Sequence, residues 1–170
     1  MLELGPEDTL LDLGCGTGVA VREAAKVVRR AVGLDLSSGM IAQARDRSAG
    51  LANVEFVEGD TSAPLPFVAG AFTAALCTTA FHHFPRQRTV LGELGRVLAL
   101  GGRVVTADAN RRHPAVFVLD FILRVVQKSH VGFRGPAWFT HGLRTAGFSD
   151  LRVETAWGGA YVFVRARKGG

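Results

Sequence analysis

Short apolar runs alternate along the chain with longer amphipathic segments. Runs of strand length cover residues 9–13, 31–34, 54–58, 71–77, 103–107, 149–155 and 160–166. Apolar positions at helical spacing cover residues 19–28, 37–47, 86–98, 114–129 and 137–146. Strands that alternate with helices in this way predict a three-layer α/β domain with a mostly parallel sheet. The last two strands flank Trp157-Gly158-Gly159, a turn suited to an antiparallel pair.

Residue types at the segment ends sharpen these boundaries. Ser37 or Ser38 can cap the second helix, and Pro114 suits the first turn of the fourth. Gly101-Gly102 is expected to stop the third helix before the fifth strand. Residues 54–58 alternate apolar and polar positions, which is typical of a half-buried strand near the edge of a sheet.

Composition places the chain among globular proteins and predicts one domain over residues 1–170. Hydrophobic residues make up 48% of it and charged residues 21%, unlike a disordered chain. No apolar run reaches the roughly 18 residues of a membrane span, and the first residues lack the pattern of a signal peptide. Cys15 and Cys77 lie in different motifs, so we expect no disulfide and therefore a cytoplasmic location. No His, Cys and carboxylate residues have the spacing of zinc ligands, so we expect no metal site.

Charge is distributed unevenly. The net charge is +5, but residues 1–60 hold 6 Lys/Arg and 10 Asp/Glu, whereas residues 61–170 hold 14 and 5. A basic half can attract nucleic acid or another anionic partner. The cations are scattered, however, and 17 of the 20 are arginine, which indicates codon usage rather than a designed patch. We therefore do not expect nucleic acid as a partner.

Three glycines stand at the turn from the first strand to the first helix, in Gly14-Cys15-Gly16-Thr17-Gly18. Without a Cβ the backbone can turn sharply and lie against a ligand, at which the helix N-terminus points its amides. Asp35 ends the second strand, where a carboxylate can accept hydrogen bonds from ribose hydroxyls. Position 19 is Val, which argues against a dinucleotide fingerprint, and no Gly-Lys-Ser/Thr follows for a P-loop. A structural turn without a ligand remains the alternative.

Six motifs in a fixed order resemble those of the class I S-adenosylmethionine-dependent methyltransferases, in particular their small-molecule, type 11 branch. They are LDLGCGTG (11–18), VGLDLSSGMIAQAR (32–45), VEFVEGD (54–60), LPF (65–67), AFHHFP (80–85) and ELGRVLALGGRVV (93–105). The resemblance implies a Rossmann-like sheet of seven strands in the order 3-2-1-4-5-7-6, with the last strand antiparallel. It also implies S-adenosylmethionine as the cofactor.

The same resemblance implies which residues bind that cofactor. Asp12 and the glycines would line its methionine half, Asp35 would hold the ribose, and Asp60 would accept from the adenine amino group. Asp60 could instead form a turn with its own backbone. The full set of expected cofactor-binding residues is Asp12, Gly14, Cys15, Gly16, Gly18, Asp35, Leu36, Met40, Asp60, Thr61, Cys77 and Thr78.

The methyl acceptor is expected where the fourth strand ends. His82 and His83 are candidates for an acceptor contact or a general base, because histidine titrates near neutral pH. Either could instead cap the next helix or pack beside the cofactor. Asp108, at the end of the fifth strand, is a third candidate and could equally be a solvated strand end. A base is needed only where the acceptor loses a proton.

The helix at 114–129 is apolar nearly all round, which is unusual for an outer layer. It could cover an apolar acceptor, form a homodimer contact or be buried by its own loops. The resemblance also implies lid helices before the first strand, for which this sequence has no counterpart. We expect a methyltransferase that acts on a small-molecule acceptor at O, N or C. An RNA or protein methyltransferase and a non-catalytic cofactor-binding module are the alternatives.

Overall fold

The computed structural model describes residues 2–61 and 63–170 and contains every predicted helix and strand. Its strands are β1 (Thr9–Leu13), β2 (Arg30–Asp35), β3 (Val54–Glu58), β4 (Phe72–Thr78), β5 (Leu98–Ala109), β6 (Phe148–Ala156) and β7 (Tyr161–Lys168). Its helices are α1 (Val19–Ala25), α2 (Ser38–Arg47), α3 (Gln87–Val97), α4 (Pro114–Val126) and α5 (Pro136–Thr145).

The strands form one seven-stranded sheet in the order β3-β2-β1-β4-β5-β7-β6. Strands β1 to β5 are parallel to one another, and β7 is antiparallel to both β5 and β6. This order and the antiparallel last strand confirm the expected fold class. β3 lies at one edge of the sheet, as its alternating pattern predicted.

Two apolar clusters cover the two faces of the sheet. Successive strand residues point to opposite faces, so Leu10 belongs to one cluster and Leu11 to the other. The first cluster packs α3 and α5 on the sheet, and the second packs α1 and α2. The three layers therefore follow from the alternation of strands and helices in the sequence.

Three predicted boundaries are wrong. Helix α1 ends at Ala25 and α4 at Val126, each three residues earlier than expected. Gly101-Gly102 does not separate α3 from β5, because β5 already begins at Leu98 and the glycines lie within its span. The pairing of β4 with β5 shifts register between Phe72 and Ala74, and Gly101 there has a φ of +74°. The glycines therefore form a bulge within β5 and do not end helix α3.

Helix α4 lies outside the layered packing. Its buried residues are Val116 and Asp120, and neither belongs to the two apolar clusters. Between residues 2 and 61 and from 63 onward, no helix is long and apolar enough to cross a membrane.

Candidate cofactor and acceptor site

The glycine loop is tied to β2 by its backbone. The amides of Gly14 and Cys15 both donate to the Leu34 carbonyl, at 2.8 and 3.1 Å. The loop glycines Gly14, Gly16 and Gly18 all have positive φ angles, of +73°, +52° and +76°, a region that favours glycine. The turn therefore needs these residues whatever it binds.

The three glycines differ in what surrounds them. A Cβ on Gly14 would lie 2.3 Å from the Ala80 Cβ, and one on Gly18 would lie 2.6 Å from the Phe56 ring. A Cβ on Gly16 would meet no atom within 4 Å. Packing therefore explains two of the glycines, whereas the space beside Gly16 is open to a ligand.

Asp35 joins the ends of β1 and β2. Its carboxylate accepts hydrogen bonds from the amide of Gly16 at 2.8 Å and from the amide of Ser37 at 2.9 Å. Ser37 in turn caps α2 by accepting from the Met40 amide, as one of the two predicted caps. The acidic residue thus holds the glycine loop and the start of α2 in one arrangement.

Asp12, at the end of β1, is a buried carboxyl group with an unused oxygen. The residue is 3% exposed, and its Oδ1 atom has no hydrogen-bond partner among the described residues. Burial raises the pKa of Asp12 to about 7, and the negative charge of Asp35 adds to the effect. A cationic group placed beside Asp12 would lower that pKa and supply the missing contact.

A cavity of about 630 Å³ opens beside the loop, outside the carboxyl ends of parallel strands, where α/β sheets commonly bind ligands. Seven of the expected cofactor residues line it, namely Gly14, Gly16, Asp35, Leu36, Met40, Asp60 and Thr61. Other parts of the chain complete the wall with Leu34, Ser37, Thr79, Ala80, His83, Phe84, Pro85, Gln127 and Ser129. The cavity thus joins the loop to the segment where the acceptor is expected.

The other five expected cofactor residues do not line the cavity, and the buried Asp12 is one of them. Cys15 is buried beneath the loop, with burial raising its pKa to about 12, and Cys77 is fully buried in the core. Gly18 packs against Phe56, and Thr78 lines a different cavity, next to Leu76. Thr78 and Leu76 share a face because side chains alternate along a strand.

Thr79 lines the cavity and was missed from the sequence. It has a φ of +53°, which is rare outside glycine, and its amide donates to the Ala107 carbonyl. Its Oγ1 atom lies 2.6 Å from the Tyr161 hydroxyl. β4 ends at Thr78, and the positive φ of Thr79 breaks the alternation of the strand, so strand periodicity does not predict where this side chain points.

His82 and Asp108 form a buried pair behind the cavity wall. The Asp108 carboxylate accepts from the His82 amide at 3.0 Å and lies 2.9 Å from the His82 Nδ1 atom. Asp108 is only 1% exposed, so the reading of this residue as a solvated strand end is wrong. A carboxylate in this position fixes the orientation and tautomer of the imidazole.

His83 is the histidine that lines the cavity. Its Nδ1 atom lies 3.0 Å from the Ser129 carbonyl oxygen. Because a carbonyl oxygen only accepts, Nδ1 carries the hydrogen, and in neutral His83 the Nε2 atom is left as a proton acceptor. The His83 ring also packs on the His82 ring, with centroids 4.0 Å apart.

The cavity, together with the buried carboxyl group of Asp12 just before the glycine loop, fits a nucleoside cofactor that carries a cationic amino acid. Asp12 offers an unused carboxylate oxygen, Gly16 leaves open backbone, and Leu36 and Met40 offer apolar surface for a base. No group of three His, Cys, Asp or Glu side chains is arranged to hold a metal ion within residues 2–61 and 63–170.

Comparison with known proteins agrees with this geometry. A family model described as a methyltransferase domain matches residues 10–102, more than half of the chain. A demethylmenaquinone methyltransferase from Lactococcus lactis is 33% identical over 132 residues, which cover 75% of this chain and 51% of that protein. The chain thus spans about half the length of this relative.

Two solved structures share the fold. An S-adenosylmethionine-dependent methyltransferase from Mesorhizobium loti has a TM-score of 0.86 at 19% identity, over 99% of this chain and 94% of that one. A geranyl diphosphate C-methyltransferase from Streptomyces coelicolor, solved with S-adenosyl-L-homocysteine, has a TM-score of 0.80 at 19% identity. The match covers 98% of this chain and 74% of that one. The chain therefore belongs to the class I methyltransferase domain family, whose cofactor is S-adenosylmethionine.

Proposed function

We propose that residues 1–170 form one methyltransferase domain that transfers a methyl group from S-adenosylmethionine to a small-molecule acceptor. The observation that carries the proposal is the 630 Å³ cavity, in which Gly16, Asp35 and His83 face one space. Its volume is in the range of small-ligand sites. The apolar walls at Ala80, Phe84 and Pro85 suit an acceptor with apolar surface. The Lactococcus relative is named as a methyltransferase of demethylmenaquinone, which would be such an acceptor.

Each cofactor contact in this proposal follows from a feature of the chain. Asp12 would hold the cationic methionine end, since its unused oxygen lacks any other partner among the described residues. Asp35 would hold the ribose while keeping the glycine loop in place. Leu36 and Met40 would flank the adenine, with Asp60 and Thr61 on its other side.

When bound, S-adenosylmethionine supplies a methyl group on a positively charged sulfur, and this charge is discharged on transfer. The protein contributes by aligning the acceptor and excluding water. Where the acceptor must lose a proton, His83 Nε2 would take it. The His82–Asp108 pair would position the His83 ring from behind.

The cofactor part of the proposal is tested by calorimetry. We expect Asp35→Ala to weaken binding of S-adenosylmethionine and S-adenosylhomocysteine by about tenfold or more, because it removes hydrogen bonds made to a charged group. Glu55→Ala is the matched control, since Glu55 is an exposed acid on β3 that pairs with Arg30. Unchanged affinity in Asp35→Ala, or no binding by the wild type at millimolar cofactor, would contradict the proposal.

The base is tested by His83→Gln. We expect this variant to keep its affinity for S-adenosylhomocysteine but to lose about a hundredfold or more in methyl transfer to acceptors that give up a proton. Labelled methyl transfer would be measured with an acceptor panel that begins with demethylmenaquinone. His141→Gln, at an exposed position on α5, is the control. Intact cofactor binding without transfer to any acceptor would instead favour a non-catalytic binding module.

A further inference from the structure

Helix α4 exposes a wide apolar surface, which we name the α4 face. Its members are Phe117, Val118, Leu119, Phe121, Ile122, Val125 and Val126. Phe121 is 69% exposed and Val125 is 75% exposed. With 3.6 residues per helical turn, these positions span an arc of roughly 200° around the helix axis. Exposed apolar patches of this kind mark interaction sites.

The surroundings of the α4 face carry positive charge. Between Asp108 and Asp150 the sequence has one acidic residue, Asp120, which is buried. The same stretch has six cationic side chains, namely Arg111, Arg112, Arg124, Lys128, Arg134 and Arg144. Arg111 and Arg124 share the single charge of Asp120, so a net positive charge is left around the helix. The charge of this part of the chain therefore complements an anionic surface.

This charge also argues against a second copy of the chain as the partner. In a two-fold dimer that packs α4 on α4, the same patch meets itself. The cations that precede and follow the helix, such as Arg112 and Lys128, would then approach cations of the other copy with no acidic side chain between them. An anionic surface meets no such repulsion.

The length of α4 decides how it would meet such a surface. Its 13 residues span about 20 Å, which is shorter than the roughly 30 Å hydrocarbon core of a bilayer. Helices with an apolar face and basic flanks lie in the plane of the membrane surface. We propose that α4 docks in the surface of an anionic lipid bilayer, with its apolar face among the acyl chains and Arg112 and Lys128 near the phosphates.

Docking in this way would bring one wall of the cavity close to the bilayer. Gln127 and Ser129 follow α4 directly and line the cavity. The inference goes beyond the proposed methyl transfer and does not depend on it, because bilayer binding requires neither cofactor nor acceptor.

Vesicle sedimentation tests the apolar part of the proposal. The wild-type chain is expected to sediment with vesicles of phosphatidylcholine and phosphatidylglycerol in equal amounts. Phe121→Glu is expected to lower the partition coefficient about tenfold or more, because a charge replaces a large apolar side chain. Leu100→Glu is the matched control, since Leu100 is 72% exposed but lies on β5. It is expected to bind like the wild type.

Two further variants test the charge. Arg112→Gln and Lys128→Gln are each expected to lower binding to the mixed vesicles about fivefold, and the wild type should bind phosphatidylcholine vesicles much more weakly. Melting curves followed by circular dichroism confirm that the variants fold. Equal binding by Phe121→Glu and wild type, or equal binding to both vesicle types, overturns the proposal. A third result would also overturn it: light scattering shows that the wild type is a dimer and Phe121→Glu a monomer, and neither protein binds vesicles.

Discussion

Asp12 places a titrating carboxyl group in the interior. Its pKa is about 7, raised from an ordinary value of 3.8 by burial and by Asp35. The folded chain therefore keeps a proton that the unfolded chain has lost between about pH 4 and pH 7. Stability from this group is greatest below pH 4 and falls as the pH rises to 7. A residue that destabilises the fold at neutral pH is a candidate for function.

If Asp12 contacts the cationic end of S-adenosylmethionine, binding will favour its ionised form. We expect the dissociation constant to increase as the pH falls below 7, by up to about tenfold per unit, because the carboxyl must then give up a proton. Calorimetry between pH 8 and pH 5.5, in buffers with different ionisation enthalpies, measures both the affinity and the proton released.

Asp12→Asn is the variant that isolates this effect. It should bind the cofactor weakly with little dependence on pH over the same range. Above pH 7 it should also be more stable than the wild type, by at most about 4 kcal/mol in the free energy of unfolding, and should melt at a higher temperature. Near pH 4 the two proteins should be equally stable. A wild-type affinity that stays constant from pH 8 to pH 5.5 would be evidence against Asp12 as the contact.

At the level of single residues, seven of the twelve cofactor-binding residues expected from the motifs line the cavity. Gly14, Gly16, Asp35, Leu36 and Met40 are among them, because the motifs fix where β1 and β2 end and where α2 begins. Motifs do not specify which side chain of a strand faces a ligand. Thr78 was therefore named in place of Thr79, one residue further along.

Among the elements, α4 is held to the domain chiefly by one side chain. The Asp120 carboxylate accepts from Arg111, from Arg124 and from the Phe133 amide, and it lies 2.8 Å from the His130 Nε2 atom. Burial alone would raise the pKa of Asp120, but these hydrogen bonds lower it to about 2. The stability that they supply is present above about pH 4 and is lost as the pH falls towards 2.

Replacing Asp120 by Asn should release α4. We expect a loss on the order of 2 kcal/mol in the free energy of unfolding at pH 7, because the hydrogen bonds to the ionised carboxylate lower its pKa from 3.8 to about 2. Amide hydrogen exchange should accelerate over residues 114–133 more than in the sheet. Asp46→Asn makes the same chemical change at an exposed position on α2 and should have little effect. Equal exchange in α4 of wild type and Asp120→Asn would mean that other contacts hold the helix.

Element boundaries were predicted least well where tertiary packing decides them. The glycine pair at 101–102 fits a helix stop by local rules, yet it serves a bulge in the pairing of β4 with β5. The i,i+4 spacing of Asp120 and Arg124 was visible in the sequence. The roles of His130 and Phe133 were not, since the loop that brings them to Asp120 follows no periodic pattern.

For the whole molecule, the sequence predicted the order of all seven strands, because the resemblance fixes it. The far wall of the cavity could not be predicted in this way. Gln127 and Ser129 line the same cavity as Gly14 and Gly16 only because the chain returns there after α4. This part of the fold depends on the cluster around Asp120 and not on strand alternation.

The position of β7 has a consequence for synthesis of the chain. β6 is made first, yet in the finished sheet it pairs only with β7, which lies between it and β5. While the ribosome is still translating β7, residues 103–109 of β5, which β7 later pairs with, present an open edge to other nascent chains. Strands β1 to β4 can pair with one another early in synthesis. β5 and β6 cannot complete their pairing until β7 has left the exit tunnel. Slow translation after β6 would therefore prolong the interval in which this chain is most prone to aggregate.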